Sequence, residues 1–455
     1  MPFSMAVKTL DYTPAWPTYP SLWMGGYCGA TRGNQGQVDR RLRAQCVVID
    51  DGAGPKVMLR VDVVSIPRYV HQAIRSAVVP LVDDNNGNFL IIVSHTHSGP
   101  MIGTTRPSPY VMMNLTPADI AAIEDTTTVF IDQMITLVEQ TLAMARTPVT
   151  LWYKEGSTTI GYNRAEEPNV LTTVSALIAR RTSNNSLFTV LFGYACHAVS
   201  RGNDRVFCSD YPGAATDVIS NALGVQALFF QGAAGDQEPN DPHSPGQVTN
   251  LGTILGNTVV QMVNSGGWNA VNGPVTTHYT EVDLPLTVDF GDPAAVIRAR
   301  NGYNERLDTF PPDDFAYRHA EVMIEQIAGE GLPRVFPMPI QRWNLGGLNI
   351  LALSHEVLSA YDVKVQTQTP GWLWIMGYAN ETEGYVAANG VLQAGEAKHF
   401  GYEAGWTDDS TMSGPGSWTT FYAWPAPLKF TPSGAAAAGT TERLVLDACT
   451  TMMNL

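Results

Sequence analysis

Short apolar runs alternate along this chain with longer segments whose apolar residues recur at helical spacing. Lys56 to Ser65 predicts a strand, and Pro67 to Val82 the helix after it, with proline at its start. Phe89 to Val93 is an unbroken apolar run and predicts a buried strand. Thr116 and Pro117 suit an N-cap and a first helical residue. Ile120, Ile123, Ile131, Met134, Val138 and Leu142 follow, so Pro117 to Ala145 predicts one amphipathic helix. Leu187 to Tyr194, Ala227 to Gln231, Asn349 to Ser354 and Leu373 to Tyr378 predict further strands. Helices near Tyr211 to Leu223, Leu251 to Val263 and Phe315 to Ile327 fit between them. The alternation predicts an α/β fold of mixed β-sheets flanked by helices. Asp236 to Gly246 and Thr407 to Pro427, rich in Pro, Gly and polar residues, predict surface loops or lids. No repeat or clear linker interrupts the pattern, which predicts one catalytic domain over residues 1–455.

Composition narrows the partners. The chain has 455 residues, 44% hydrophobic and only 15% charged, enough to bury a large core. A net charge of −15 disfavours nucleic acid and anionic membranes. No apolar run approaches the roughly 20 residues that span a bilayer. Met1 to Lys8 shows no charged leader before a long apolar stretch, so the cytoplasm is the default expectation. Cys28, Cys46, Cys196, Cys208 and Cys449 are odd in number and lack CxxC pairs, which predicts reduced, half-buried thiols.

Two short segments that each follow a predicted strand carry three of the nine histidines. Ser94-His95-Thr96-His97-Ser98-Gly99-Pro100 follows the run Phe89 to Val93, and Ala195-Cys196-His197 follows Leu187 to Tyr194. On a strand, i and i+2 share a face, so His95 and His97 can point into one pocket. Two strands that each end in histidine begin a zinc site, although a lone histidine there is more often structural. His97 also suits a hydrogen-bond donor to a ligand, or a general acid, beside the metal. His355-Glu356 adds a carboxylate after another strand, as readily a helix N-terminal acid as a ligand. Gly232 to Asn240 follows a strand too. Its small residues permit close backbone approach, and taken alone a tight turn is the simpler account. The aromatic series Trp372, Trp374, Tyr378, Tyr385, Phe400, Tyr402 and Trp406 suits core packing.

Taken in order, these segments resemble the neutral, non-lysosomal ceramidases and their bacterial relatives. The resemblance runs through Gly26-Tyr27, Arg41-Leu42-Arg43-Ala44, Val61-Asp62 and, most strongly, Ser94 to Pro100. It continues through Gly161-Tyr162-Asn163-Arg164, Cys196-His197, Ser209 to Gly213, Gly235-Asp236 with Pro239-Asn240, and Gly384-Tyr385-Val386. The family's C-terminal immunoglobulin-like domain is expected to be missing, since Thr441 to Met453 reads as a helix. The resemblance implies one Zn2+ per chain, held by His95, His197, Glu356 and Tyr385. It implies His97 beside the activated water, Arg164 on the substrate carbonyl, and Tyr402 as donor to the oxyanion. Asp236 and Glu238 would border the substrate. Three departures stand out. Glu238 occupies the serine position of the family's Gly-Asp-x-Ser-Pro-Asn stretch, the segment from Tyr385 to Tyr402 is longer, and Ser354-His355-Glu356 matches the family's Gly-Glu only loosely.

The implied reaction is zinc-dependent amide hydrolysis of an N-acyl or other small amide by metal-activated water. An ester or lactone hydrolase on the same site, a ceramidase proper, and a non-catalytic metal-binding protein are the alternatives. Glu238, the acidic balance and the lack of a basic amphipathic segment favour a soluble, modest-sized amide over membrane ceramide. Oligomeric state is open.

Overall fold

The central strands read as continuous apolar runs because both of their faces are covered, whereas β5 (Thr147–Ser157) and β12 (Val275–Pro285) alternate and keep polar residues toward solvent. The computed structural model describes residues 3–27, 31–165, 168–394, 402–405 and 418–455. In chain order the strands are β1 (Phe3–Asp11), β2 (Arg43–Asp50), β3 (Pro55–Val61), β4 (Phe89–Val93), β5 (Thr147–Ser157), β6 (Gly161–Asn163), β7 (Thr173–Arg181), β8 (Leu187–Tyr194), β9 (Gln226–Gln231), β10 (Gln237–Pro239), β11 (Asn269–Val271), β12 (Val275–Pro285), β13 (Val335–Leu345), β14 (Leu348–Leu353), β15 (Glu356–Val357), β16 (Trp372–Met376) and β17 (Tyr385–Val386). The larger sheet runs β4-β3-β2-β1-β5-β7-β8-β9, with β11 paired to β5. Its pairs β3–β4 and β8–β9 are parallel and the others antiparallel. A second sheet runs β12-β13-β14-β16, with β14 and β16 parallel. The small pairs β6–β10 and β15–β17 lie apart from both.

Strict alternation sorts side chains between layers. In β4, Phe89, Ile91 and Val93 pack with the helices Arg68–Val78 and Pro117–Leu142, while Leu90 and Ile92 face the other way. In β8, Val190 and Phe192 pack with the helices Asp210–Leu223 and Pro245–Asn264, while Leu191 faces inward. The inner faces meet Trp343, Ile350, Trp374 and Met376 of the second sheet. Leu351 and Leu353 turn outward toward the helices Pro293–Thr309, Phe315–Ala328 and Thr441–Met453. The layers are therefore helix, sheet, sheet, helix, in a single domain of mixed sheets flanked by helices, as the pattern predicted.

Several boundaries differ from expectation for local reasons. The strand expected to reach Ser65 leaves the sheet at Val61, and the helix expected to reach Val82 stops at Val78. Pro80 then sits in a short 3-10 turn, where a further α-turn would lack its amide donor. The helix expected at Leu251 begins at Pro245, capped by the Ser244 side chain accepting from the Gln247 amide. The expected loop from Asp236 to Gly246 is thus shortened, because β10 pairs with β6 and the helix starts early. Residues 407–417 of the expected loop Thr407 to Pro427 lie outside the described residues, whereas Trp418, Phe421 and Trp424 are buried. Cys46, Cys196, Cys208 and Cys449 are buried free thiols, and Cys28 lies outside the described residues. Among the described residues, no helix is long and apolar enough to cross a membrane.

One feature of the topology positions the functional groups. β4 and β9 are opposite edges of the larger sheet, yet β9 lies against β3 and β4. The segment after β16 joins them. The Gly377 amide donates to Gln231 O (3.0 Å), Val93 donates to Tyr378 O (3.3 Å) and Asn380 donates to Ile91 O (2.6 Å). Buried side chains hold this join from behind: Arg75 Nη2 donates to Asn380 Oδ1 (2.8 Å) and Phe89 O (3.0 Å), and Gln341 Nε2 also donates to Phe89 O (3.0 Å).

Two predictions test the packing. Trp343 is fully buried between the sheets, and its indole N–H has no hydrogen-bond partner among the described residues. Trp343→Ala is expected to cost about 3–5 kcal/mol, read by denaturant unfolding, and Trp343→Phe clearly less, since it removes the unpaired donor along with less volume. Burial pushes the Asp362 carboxyl up to about 7, with the charge of Glu155 adding to the shift. A carboxyl raised above its unfolded value of roughly 3.9 gives stability that is present at low pH and lost as pH rises through its folded value. Asp362→Asn should therefore gain on the parent protein between pH 5 and pH 8, measured as the pH dependence of the unfolding midpoint.

Candidate active site

Four loops leaving strand ends bring their polar residues into one buried cluster. His95 follows β4 by two residues and takes a left-handed backbone, φ 62°. This conformation, rather than strand alternation, turns its ring toward His97. The His97 amide donates to Ala198 O (3.1 Å) and the His197 amide to Gln237 O (2.8 Å), which fixes the His97 and His197 loops against their neighbours. Glu356 lies in β15, directly opposite Tyr385 of β17 in a parallel pair. His355 (φ 66°), Tyr378 (φ 54°) and Asn380 (φ 64°) are also left-handed, each at a cost of roughly 1–2 kcal/mol. Such conformations cluster where the surrounding structure holds a site in place.

The hydrogen bonds decide which atoms are free. His95 Nδ1 donates to Val64 O at 2.6 Å, and His197 Nδ1 donates to Ala234 O at 2.7 Å. A carbonyl only accepts, so each Nδ1 carries the proton and each neutral ring presents a bare Nε2. Both Nε2 atoms face one oxygen of Glu356: His95 Nε2 is 3.1 Å and His197 Nε2 3.2 Å from Oε2. The other oxygen, Oε1, accepts from the Tyr422 hydroxyl at 2.6 Å. Three buried acceptors thus converge with no proton among them when the rings are neutral. Lone pairs at that spacing repel unless a cation lies between them. Imidazole and carboxylate donors this close together suit zinc and its neighbours in the first transition row.

His97 is placed differently. Its Nε2 lies 3.0 Å from His95 Nε2, and His95, His97 and His197 form a buried group able to hold a metal ion. Its Nδ1, however, has no hydrogen-bond partner among the described residues. It lacks the backbone lock that orients the other two rings. The backbone around it is tightly held: Arg32 Nη1 donates to His97 O (2.9 Å) and Gly25 O (2.7 Å). Gly26 has φ 103°, and a Cβ there would lie 2.7 Å from the His97 side chain.

Burial lowers the pKa of His95, partly opposed by Glu356, and lowers that of His97 further, with His95 and His197 adding to the shift. Burial opposes the charge of Glu356, but His95 and His197 outweigh it and hold the carboxyl well below its ordinary value. Burial, with Glu356 next, pushes the Tyr385 phenol well up.

Tyr385, Tyr402 and Tyr422 line a cavity of about 40 Å³ together with His95, His97 and Glu356, room for a water molecule or a reacting group. Val64, Pro107, Met112 and Phe421 form its apolar wall. The Tyr385 hydroxyl is 3.4 Å from His197 Nε2. Arg164 donates to Tyr385 OH (2.9 Å) and to Glu238 Oε2 (2.8 Å). His95, His97, His197, Glu356, Tyr385, Arg164, Tyr402, Glu238 and Asp236, the residues given a site role from the sequence, lie in or beside this cluster, with one difference in kind; Phe400 and Trp406 of the aromatic series lie outside the described residues. Asp236, expected at the substrate, is fully buried and committed within the protein. It accepts from the Ser359 amide (2.8 Å), the Ser359 hydroxyl (2.7 Å) and Asn163 Nδ2 (2.8 Å). It ties its own loop to the end of β6 and to the start of the helix Ser359–Gln368, and presents no free oxygen to a ligand. Glu238 has a cationic partner, so the penalty expected of it against an acyl chain does not arise. Two residues escaped the sequence: Tyr422, inside a stretch that reads as loop, and Glu403, whose carboxylate accepts from Arg164 Nε at 2.8 Å. Only its adjacency to Tyr402 pointed to Glu403.

This architecture is that of solved ceramidases. The chain is similar to the neutral ceramidase from Pseudomonas aeruginosa, with a TM-score of 0.64 and 18% identity, over 96% of this chain and 77% of that one. A structure described as a ceramidase complexed with C2 matches at a TM-score of 0.65 and 17% identity, over 96% and 78%. No protein-family model matches the chain, and no curated protein does. The chain has the neutral-ceramidase fold.

Removing one imidazole tests the cluster directly. His197→Ala should lose most of its bound divalent metal while keeping the circular-dichroism spectrum of the parent, because the core does not depend on one ion. Elemental analysis showing undiminished metal in the folded variant would place the site elsewhere.

Proposed function

We propose that this protein is a zinc-dependent amidohydrolase that cleaves an N-acyl or other small amide with water. The observation that carries this reading is the convergence of His95 Nε2 and His197 Nε2 on Glu356 Oε2, beside a partly apolar cavity that His95 and Glu356 line. His95, His197 and Glu356 would hold the ion, with the Tyr385 oxygen as the fourth protein donor. Bound zinc supplies Lewis acidity, which brings the pKa of water toward neutrality and polarises a carbonyl. The similarity to ceramidases, which share the fold, supports an amide as the bond attacked; fold alone does not fix a substrate.

The chain's own residues divide the remaining work. Val64 O and Ala234 O keep the two imidazoles in the tautomer that leaves Nε2 bare. His97, with an unlocked ring and a pKa held down by burial, is neutral at physiological pH. It takes a proton from the attacking water and delivers it to the leaving nitrogen. Tyr402 lines the cavity and donates its hydroxyl proton as a hydrogen bond to the oxygen that gains charge. Val64, Pro107, Met112 and Phe421 exclude water from the acyl side and give its alkyl portion an apolar surface. At position 238 there is no hydroxyl, so no serine at that point of the loop can form an acyl-enzyme.

Tyr402→Phe should lower kcat by about 10²–10³ with little change in bound zinc. The assay pairs short and long N-acyl amides with the matching esters and follows both products. Release of acid and amine that stops on chelation and returns with zinc supports the reading. Cleavage of esters alone would move the protein to the ester-hydrolase class, and a covalent adduct trapped by mass spectrometry during turnover would remove the water mechanism.

A further inference from the structure

We propose that Arg164 is a positioning residue for the Tyr385 hydroxyl, clamped by Glu238 and Glu403, and not the donor to the substrate carbonyl. This rests on the assignment of Tyr385 to the metal, and it changes the role that the family resemblance gives Arg164.

Local pairing places the clamp. β6 and β10 are antiparallel with Tyr162 opposite Glu238 and Asn163 opposite Gln237. The Arg164 amide donates to Asp236 O at 2.8 Å, which continues the ladder by one residue. Arg164 and Glu238 are therefore a diagonal cross-strand pair, within reach for side chains this long. Glu238 occupies this position because of register.

The guanidinium is nearly used up. Its five N–H groups lie in one plane with fixed directions. Nε donates to Glu403 Oε1 (2.8 Å), Nη1 to Glu238 Oε2 (2.8 Å), and Nη2 to both Tyr385 OH (2.9 Å) and Gly235 O (3.1 Å). Four of the five donors have protein partners, and the four directions leave the plane no freedom to turn. Two carboxylates face one guanidinium, so its pull on a developing oxyanion elsewhere is compensated. What it does supply is local: a charged donor at the Tyr385 oxygen, which lies on its other side 3.4 Å from His197 Nε2. A phenol oxygen held between these two partners is aimed at the cluster, and the charged donor favours any negative charge it takes up. Outer partners of metal ligands act in this way, by orienting the ligand and tuning its basicity. Glu238 completes the clamp by fixing the second arm of the fork.

The test is zinc affinity, measured on the full chain by competition with a chromophoric chelator, alongside kcat and KM at saturating zinc. Arg164→Gln is expected to weaken zinc binding by roughly 10–100-fold, with KM unchanged. Glu238→Gln keeps the shape of the clamp but removes its charge, and should weaken zinc binding in the same direction by a smaller factor. In a Tyr385→Phe background, Glu238→Gln should have no further effect on zinc affinity, because its influence passes through the missing hydroxyl. That arm also covers the case in which Arg164→Gln fails to fold. Wild-type zinc affinity in Arg164→Gln or Glu238→Gln, with a raised KM or lowered kcat, would overturn the proposal and return Arg164 to the substrate. A parent protein that binds no zinc would overturn both this proposal and the metal assignment, whereas normal binding with unaffected variants overturns this one alone.

Discussion

The bond from each imidazole Nδ1 to a backbone carbonyl governs the chemistry available to this protein. Val64 O and Ala234 O are rigid acceptors, and by taking the Nδ1 protons they leave His95 and His197 with bare Nε2 atoms directed at Glu356. Neither carbonyl belongs to a strand. Val64 follows the end of β3, and Ala234 follows the end of β9, where backbone groups are no longer consumed by a ladder. Parallel pairing of β3 with β4 and of β8 with β9 puts each histidine-bearing strand beside the strand whose exit supplies its acceptor. The tautomers, and with them the capacity to hold a cation, follow from where the sheets stop.

That arrangement depends in turn on joining the two edges of the larger sheet. Left open, β4 and β9 would carry His95 and the Ala234 loop apart. The segment from Gly377 to Asn380 bonds to both strands. It is held from behind by Arg75 and Gln341, which meet the Asn380 side chain in a buried network where each amide has a partner. Left-handed residues at 95, 355, 378 and 380 store several kcal/mol of conformational cost around the same point. The apolar layers on either side sustain it, and the rigidity they give is what keeps acceptors at about 3 Å from relaxing apart.

Around the cluster, charge is arranged in pairs. Glu356 faces the imidazoles, Arg164 faces Glu238 and Glu403, and Asp236 is saturated by amide and hydroxyl donors. The adjoining cavity is walled by Val64, Met112 and Phe421 on one side and by His95, His97, Glu356 and the tyrosines on the other, which separates an apolar approach from a polar one.

Much of this was legible in the chain itself. Phe89–Val93 and Leu187–Tyr194 announce buried strands because apolar residues fill both faces, and Thr116-Pro117 announces a helix start because a capped first turn needs those residues. His95, His97, His197, Glu356 and Tyr385 could be singled out because each follows or faces a strand end, or matches a family motif. The long strands β1, β2, β5, β7, β12 and β13 were less visible, since several carry charged residues that only the stacking of layers explains. Local sequence determined which segments become strands and helices, because hydrophobic periodicity acts over a few residues. Only the tertiary structure decided which donor meets which acceptor. That is why Asp236 is a tie, Glu238 a partner of Arg164, and Tyr422 a neighbour of Glu356: a hydrogen bond is settled by ångström distances between segments far apart in the chain, and no local pattern encodes those.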